Sequence, residues 1–436
     1  MKHIQPLSII IGLLMLMSIR PLHAQQISKA KKGTFALTNA NIETVTNGTV
    51  QGTLLIQDGK ISALAANVEI PAGAEVIDCS GQRIYPGFID GGTRLGLSEV
   101  GSLSLTQDFY EIGDISPHMQ ALTAVNPNAT AIPVTRVSGV TTVLSAPAGG
   151  LFAGTAALID LHGYTPAQMY AGFKAVVLNF PSSGRRGRWD NRSEEDIKKL
   201  SENALKKLNK VWEEASAYHQ IDAAYKAGKG EAPGYYPEMA ALAPITQGNA
   251  KILIEVHRAS DIEIAIKWVQ EKEIDAVFTG VSEGWRVADQ LAAAHIPVIT
   301  GPVLSTPSRA SDRYDRPYRN AGLMQKAGVK VALRTNESDN VRNLPFHAGF
   351  AAAYGMGKEE ALRAVTIVPA EIFGVADHLG SLEVGKQANL IVTNGDPFET
   401  ATDIIHVFIG GWQIPMDSRH IRLYHEFLKR EPGLRE

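Results

Sequence analysis

The chain has 436 residues, 44% of them hydrophobic and 20% charged, with a formal net charge of -3. That is enough apolar material for one large domain with a smaller companion, and the near-neutral balance excludes the basic footprint expected of a nucleic-acid-binding protein. The single cysteine, Cys79, excludes an internal disulfide and, being far from the start of the chain, a lipidated N-terminal cysteine.

Residues 1–24 begin basic, carry an apolar run from Ile9 to Ile19 and finish at Leu22-His23-Ala24. This is the pattern of a signal peptide cleaved near Ala24, so the mature chain is expected to be exported to the periplasm or secreted. The run falls short of the roughly 18 or more apolar residues that read as a bilayer span, and no later stretch reaches that length, so no membrane span is expected.

From 34 to 85, short apolar runs alternate with turn residues such as Asp58-Gly59 and Ser80-Gly81, which reads as a β-meander. Residues 380–416 return to the same idiom, with Gly410-Gly411 closing a hairpin, so both ends of the mature chain are expected to build one composite β-domain of sandwich type. Between them, residues 86–379 alternate strand-like segments (GVTTVLSA, AVVLNFP, KILIEVH, AVFTG, PVITGP, VKVALRTN) with helical ones such as DIEIAIKWVQEKE. Alternation of this kind predicts parallel β/α construction, and a (β/α)8 TIM barrel closes it most economically. Ser193 opens a capping pattern before an amphipathic helix with Ile197, Leu200, Leu208, Val211 and Trp212, and residues 182–240 read as a helical insertion over the barrel mouth. Arg185, Arg186 and Arg188 are followed at once by Asp190, Glu194, Glu195 and Asp196, so they read as a solvated loop and helix start. Residues 417–436 form a C-terminal tail.

At PGFIDGGTRLG (Pro86 to Gly96) the chain resembles the metal-dependent amidohydrolases, in particular the imidazolonepropionase-like group. GVTTV from Gly139, NLPFHAGFAAAYGM, EALRAVTIVPAEIFGV and GSLEVGKQANLIV from Gly380 extend the resemblance over nearly the whole mature chain. The resemblance implies a barrel whose first strand ends in His-x-His, two imidazoles on one face that help hold one or two divalent ions. Such ions generate hydroxide and polarise the scissile carbonyl of lactams and other non-peptide amides, while an Asp after the eighth strand moves the proton.

This chain departs from that pattern at the positions that matter. Gly92 and Arg94 stand where the two histidines belong, and neither offers a lone pair to a cation. Asn336 replaces the strand-eight Asp, leaving Glu337 or Asp339 as the nearby carboxylates to take its place, so the catalytic candidates are Asn336 and Asp339. The fourth-strand segment offers Asn179 but no Lys or Glu, and the sixth has no His. Only His257 survives as a candidate metal ligand. No two of the twelve histidines lie within four positions of each other, which removes local zinc spacings. His118, His162, His295 and His347 would have to converge with His257 from afar.

Strand parity puts Asp90, Gly92 and Arg94 on one face, Glu255 and His257 on another, and Arg334 and Asn336 on a third. If all three face inward, Arg94 and Arg334 meet Glu255 and Asp90 at the mouth. A buried Arg demands a partner, so Arg94 is expected to be paired with a carboxylate. These four residues then form a candidate pocket for a small anion, with Tyr235, Tyr236 and Trp285 as candidate walls. Asn389 stands where the closing motif of the family has Asp, in the outer domain, where packing or a turn is the expected consequence.

Two functional readings follow. One is an amidohydrolase-type protein with its metal site largely lost, no assured cofactor and a small polar or anionic ligand at the barrel mouth. The other is an active hydrolase of carbon-nitrogen bonds using a single zinc or similar ion, or none. The expected partners are a small-molecule ligand or substrate; a homo-oligomer, or pairing with an intact paralogue, is compatible with the sequence.

Overall fold

The computed structural model describes residues 29–184 and 190–430. The leader over 1–24 and the Arg185, Arg186 and Arg188 cluster lie outside the described residues. Among them, no helix is long and apolar enough to cross a membrane.

The first five strands are β1 (Phe35–Glu43), β2 (Thr49–Gln57), β3 (Lys60–Ala65), β4 (Glu75–Asp78) and β5 (Arg83–Pro86), and the last three are β14 (Leu390–Thr393), β15 (Ile404–Ile409) and β16 (Trp412–Ile414). They form one sheet in the order β16-β15-β14-β5-β1-β2-β3, with β4 also on β1. The join between the two ends of the chain is the antiparallel pairing of β5 with β14. It is sealed by Phe35 of β1 against Phe408 of β15, ring centroids 5.2 Å apart and edge to face, a favourable aromatic geometry. Cys79 sits in this core, fully buried, and burial pushes its thiol up to about 11.

The second sheet is the barrel: β6 (Phe88–Thr93), β7 (Val140–Ser145), β8 (Phe152–Asp160), β9 (Tyr170–Asn179), β10 (Ile252–Val256), β11 (Ala276–Gly280), β12 (Val298–Thr300) and β13 (Val331–Leu333), neighbours in that order. Backbone bonds from Asn336 N to Gly92 O (3.0 Å) and from Arg94 N to Glu337 O (2.9 Å) close it between β13 and β6. The barrel interior is a packed layer that includes Ile89, Leu144, Leu158, Val177, Leu253, Val277, Ile299 and Ala332. The alternate residues, such as Phe88, Leu178, Ile254, Phe278 and Leu333, face the surrounding helices. This two-sided burial is why the strands read as nearly continuous apolar runs.

One strand departs from the parallel expectation. β8 is antiparallel to both β7 and β9. After β7 the chain turns straight back into β8 at Gly149 and Gly150, whose φ values of +89° and +64° favour glycine. A Cβ on Gly150 would also meet the carbonyls of Gly113 and Asp114 at 3.0 Å.

Between β9 and β10 the chain runs through α1 (Glu194–Lys226) and α2 (Pro237–Thr246), and α3 (Ala259–Glu271) follows β10. Ser193 caps α1 by accepting from Asp196 N at 3.1 Å. The segment expected to cover the mouth thus includes a crossover helix: Trp212 of α1 packs edge to face on Trp268 of α3 at 5.0 Å, and Trp268 Nε1 donates to Asn209 Oδ1 at 3.0 Å. Leu200, grouped with the apolar stripe in the sequence, is exposed.

Candidate active site

Above the apolar layer, the next inward position on several strands is polar: Asn179 follows Val177, Glu255 follows Leu253, Thr279 follows Val277 and Arg334 follows Ala332. These four line a mouth cavity of about 80 Å³ together with Arg94 and Asn336. The regular two-residue period of β9, β10, β11 and β13 is what delivers them there.

Glu255 is the hub. Arg334 Nη1 donates to its Oε2 at 2.8 Å and Nη2 to its Oε1 at 2.5 Å, a bidentate fork. Thr279 Oγ1 donates to Oε2 at 2.5 Å, and His257 Nε2 lies 2.9 Å from Oε1. Burial alone would raise the Glu255 carboxyl, but the Arg334 charge, reinforced by His257, holds it well below the usual carboxylate range. The other ring nitrogen of His257 is also engaged, Nδ1 lying 3.0 Å from Ser282 Oγ. Gly280 makes room for this cluster: its φ is +84°, and a Cβ there would overlap His257 Cε1 and approach Glu255 Oε1 to 2.9 Å.

Asp90 and Arg94 do not join the hub as strand parity proposed. The pairing of β6 with β7 shifts register between Asp90 and Thr93, so the two-residue alternation breaks there. Asp90 is completely buried and bridges β6 to β13, accepting from Thr335 Oγ1 at 2.6 Å, Thr335 N at 3.1 Å and Gly92 N at 3.0 Å. Burial pushes its carboxyl up to about 7 despite these donors. Arg94 has no carboxylate within ion-pair distance among the described residues, contrary to expectation. Its guanidinium lies 5.1 Å from the Phe109 ring centroid and donates weakly to the Asn336 carbonyl at 3.4 Å. Its Nε is buried without a hydrogen-bond partner, but the residue as a whole is only half-buried, and ion pairing is forced only on a deeply buried guanidinium.

Asn336 lines the cavity with φ +57°, but Asp339 is exposed and outside the lining, so the two catalytic candidates do not converge. The scattered histidines stay apart from His257. His347 is buried, accepts from Val303 N at 3.1 Å and is pushed down to about 4 by burial, while His162 packs on Trp412. Tyr235 and Tyr236 are exposed, and Trp285 lines a neighbouring cavity between the guanidinium groups of Arg286 and Arg316. Asn389 is part of a buried junction between barrel and outer domain, donating to Asp160 Oδ1 at 2.8 Å and accepting from Gly410 N at 2.7 Å.

Sequence reasoning missed Thr279, Ser282, Thr335 and Phe109. Thr279 was within reach of the same parity argument that found Glu255. Phe109 lies in irregular chain after β6, where no period exists to read.

An eight-stranded barrel with a composite β-domain and a polar cluster at the carboxyl ends of its strands places the candidate site at the end of the barrel where enzymes of this fold carry theirs. Residues 83–414 match the model of the Amidohydrolase family, and the chain belongs to that family, whose members hydrolyse carbon-nitrogen bonds. An imidazolonepropionase of Geobacillus sp. (strain WCH70) is 25% identical over 375 residues, covering 78% of this chain and 83% of that protein. The amidohydrolase tasK of Hapsidospora irregularis is 22% identical over 399 residues, 83% of this chain, but the chain spans only 39% of tasK. The fold matches the crystal structure of an amidohydrolase from Thermotoga maritima MSB8 with a TM-score of 0.77 and 24% identity, over 87% of this chain and 99% of that one.

The family is typically dependent on a metal ion. Among the described residues no group of three or more His, Cys, Asp or Glu is placed to hold one. Both His257 nitrogens already have protein partners, and the Arg334 guanidinium forks onto the one carboxylate beside them.

Proposed function

We propose that this protein is a family member whose barrel mouth binds a small anion through Arg94 and uses the Arg334–Glu255 ion pair in place of a metal centre. The observation that carries the reading is the contrast between two arginines lining one cavity. Arg334 is neutralised by Glu255, while Arg94 faces the same cavity with no carboxylate partner among the described residues. A cavity of about 80 Å³ supports a carboxylate- or phosphate-sized group and not a ring-sized substrate, because pockets for drug-sized ligands span about 300–1,000 Å³. Asn179 and Asn336 supply amide groups beside the guanidinium for orienting such a group.

Calorimetric titration with succinate and with inorganic phosphate tests this. Binding that weakens at least about tenfold in Arg94→Gln, equivalent to about 1.4 kcal/mol, is the expected result. Equal affinity in the variant, or no heat with either probe, overturns it.

The second reading is a working hydrolase of cyclic amides, favoured by the likeness to imidazolonepropionases over 78% of the chain. It predicts about one equivalent of zinc or a similar ion in protein purified without chelator, lost in His257→Ala. The first reading predicts no stoichiometric metal in either. We further propose that the chain acts after export, on the strength of its leader sequence.

A further inference from the structure

We infer that Ser282 is a nucleophile activated by His257 and oriented by Glu255, giving the barrel mouth a metal-independent acyl-transfer site for small esters or amides. The inference goes beyond the anion-binding reading and does not rest on it.

The geometry is a relay. Ser282 Oγ lies 3.0 Å from His257 Nδ1, and His257 Nε2 lies 2.9 Å from Glu255 Oε1. Glu255 is forked by Arg334 and so stands as a carboxylate, which only accepts hydrogen bonds. His257 Nε2 must therefore carry the ring proton, which leaves Nδ1 as an acceptor aimed at the Ser282 hydroxyl. A nucleophile, a base and a carboxylate that fixes the tautomer of the base are the parts of a serine hydrolase relay, here with the two imidazole nitrogens in exchanged roles.

The local backbone supports the same assignment. Ser282 sits just beyond β11, immediately after Val281, whose φ of +48° is an outlying conformation for a β-branched residue. Such strain persists where the surroundings enforce it and concentrates at functional sites. The enforcement is visible: Val281 N donates to Val256 O at 2.7 Å and Glu283 N to His257 O at 3.0 Å, tying the turn to the end of β10. Glu283 is buried and held by a bidentate Arg309, which fixes the far side of the turn. Ser282 opens onto a second cavity of about 60 Å³, which also presents Thr300, Trp285 and Arg316. That space admits a short acyl group, and it is lined by the Arg316 guanidinium and by the Asp312 carboxylate, which Arg286 neutralises, so the Arg316 charge is left for the oxyanion that forms.

The chemistry balances without any further reagent than water. Ser282 Oγ adds to the acyl carbonyl carbon while its proton passes to His257 Nδ1. The tetrahedral adduct collapses, the bond from carbon to the leaving oxygen or nitrogen breaks, and that atom takes the proton from His257. Water repeats the sequence on the acyl-serine, releasing a carboxylic acid and restoring Ser282.

The test uses the full mature chain with a small methyl-substituted fluorophosphonate, sized for a short acyl group, followed by peptide mass mapping. A single adduct on Ser282 is expected, absent in Ser282→Ala and formed at least about 100-fold more slowly in His257→Gln, the usual contribution of a general base. No adduct on Ser282, or an unchanged rate in His257→Gln, overturns the inference. A second variant guards against misfolding of the first. In Ser282→Cys, iodoacetamide should alkylate the new thiol with a pH inflection well below the ordinary value of about 8.5, and adding His257→Gln should restore that value. Cys79 does not compete, being buried with its thiol pushed up to about 11. An ordinary inflection in Ser282→Cys itself also overturns the inference.

Discussion

Glu255 and Asp90 are two carboxylates of one barrel, and they resolve burial in opposite ways. Glu255 has a guanidinium forked across both oxygens and stays ionised, while Asp90 has neutral donors from Thr335 and Gly92 and is pushed up to about 7. Three good hydrogen bonds do not replace one cation when the carboxylate is fully out of water. The difference also sorts their roles: the charged hub faces the mouth and touches His257, whereas Asp90 stitches β6 to β13 where the register shift interrupts regular pairing.

The largest expected effect comes from erasing the difference at Glu255. Arg334→Met strands the part-buried Glu255 carboxylate and should cost about 3 kcal/mol, the low end for a buried pair, in urea denaturation, with most of it returned by Glu255→Met in the same chain. If the single substitution were nearly neutral, the ion pair would be a surface feature and the hub a misreading. The second effect is a pair of opposing pH slopes. Glu255 is lowered on folding, so its stabilisation is present above its unfolded value and is lost as pH falls through the folded value. Asp90 is raised from 3.8 to about 7, so its contribution is full below pH 3.8 and is lost as pH rises through about 7. Stability measured from pH 4 to 8 should therefore decline less with rising pH in Asp90→Asn than in the wild type. An unchanged slope would place the Asp90 carboxyl near its ordinary value.

How much of this was legible beforehand depended on backbone regularity. Glu255 could be placed on the inward face because β10 keeps a clean period of two, and Arg334 because it directly continues β13, whereas Asn336 reaches the same cavity from a left-handed backbone, φ +57°, that no strand period describes. The same rule failed from Asp90 to Arg94, where the only warning was the pair Gly91-Gly92, and the bulge it permits swings Arg94 toward Phe109 in place of a carboxylate. β8 escaped notice because FAGTAALID has small residues where the other strands have branched ones, and because a parallel barrel gives no reason to expect a strand running backward. Ser282 was invisible for a different reason: its partners come from β10, and nothing in the chain between His257 and Ser282 records that their side chains meet.

The barrel-to-domain junction offers a smaller version of the same contrast. Asp160 is buried and raised by that burial, with only neutral donors from Thr142, Gln387 and Asn389. Asn389→Asp turns a donor 2.8 Å from Asp160 Oδ1 into a second carboxylate and should cost about 2 kcal/mol at neutral pH. Because like charges at that distance raise the carboxyl values of the pair, the cost should shrink as pH falls and grow as it rises. A cost independent of pH would mean that lost packing, not charge, is responsible.

The smallest effect on stability should accompany a large effect on the relay. In Gly280→Ala the backbone must keep φ near +84°, which costs about 1–2 kcal/mol for a residue with a Cβ. The added methyl also overlaps the His257 ring, which is half exposed and can swing outward, and comes within 2.9 Å of Glu255 Oε1, a contact relieved by a shift of the carboxylate of a few tenths of an ångström, so the steric conflict adds less than the backbone cost. Swinging outward breaks both the contact with Glu255 and the contact with Ser282. The variant should therefore melt close to the wild type while fluorophosphonate labelling of Ser282 slows toward the rate of His257→Gln. Should labelling persist at the wild-type rate in a folded Gly280→Ala protein, His257 would not be the base, and its position between Ser282 and Glu255 would be structural alone.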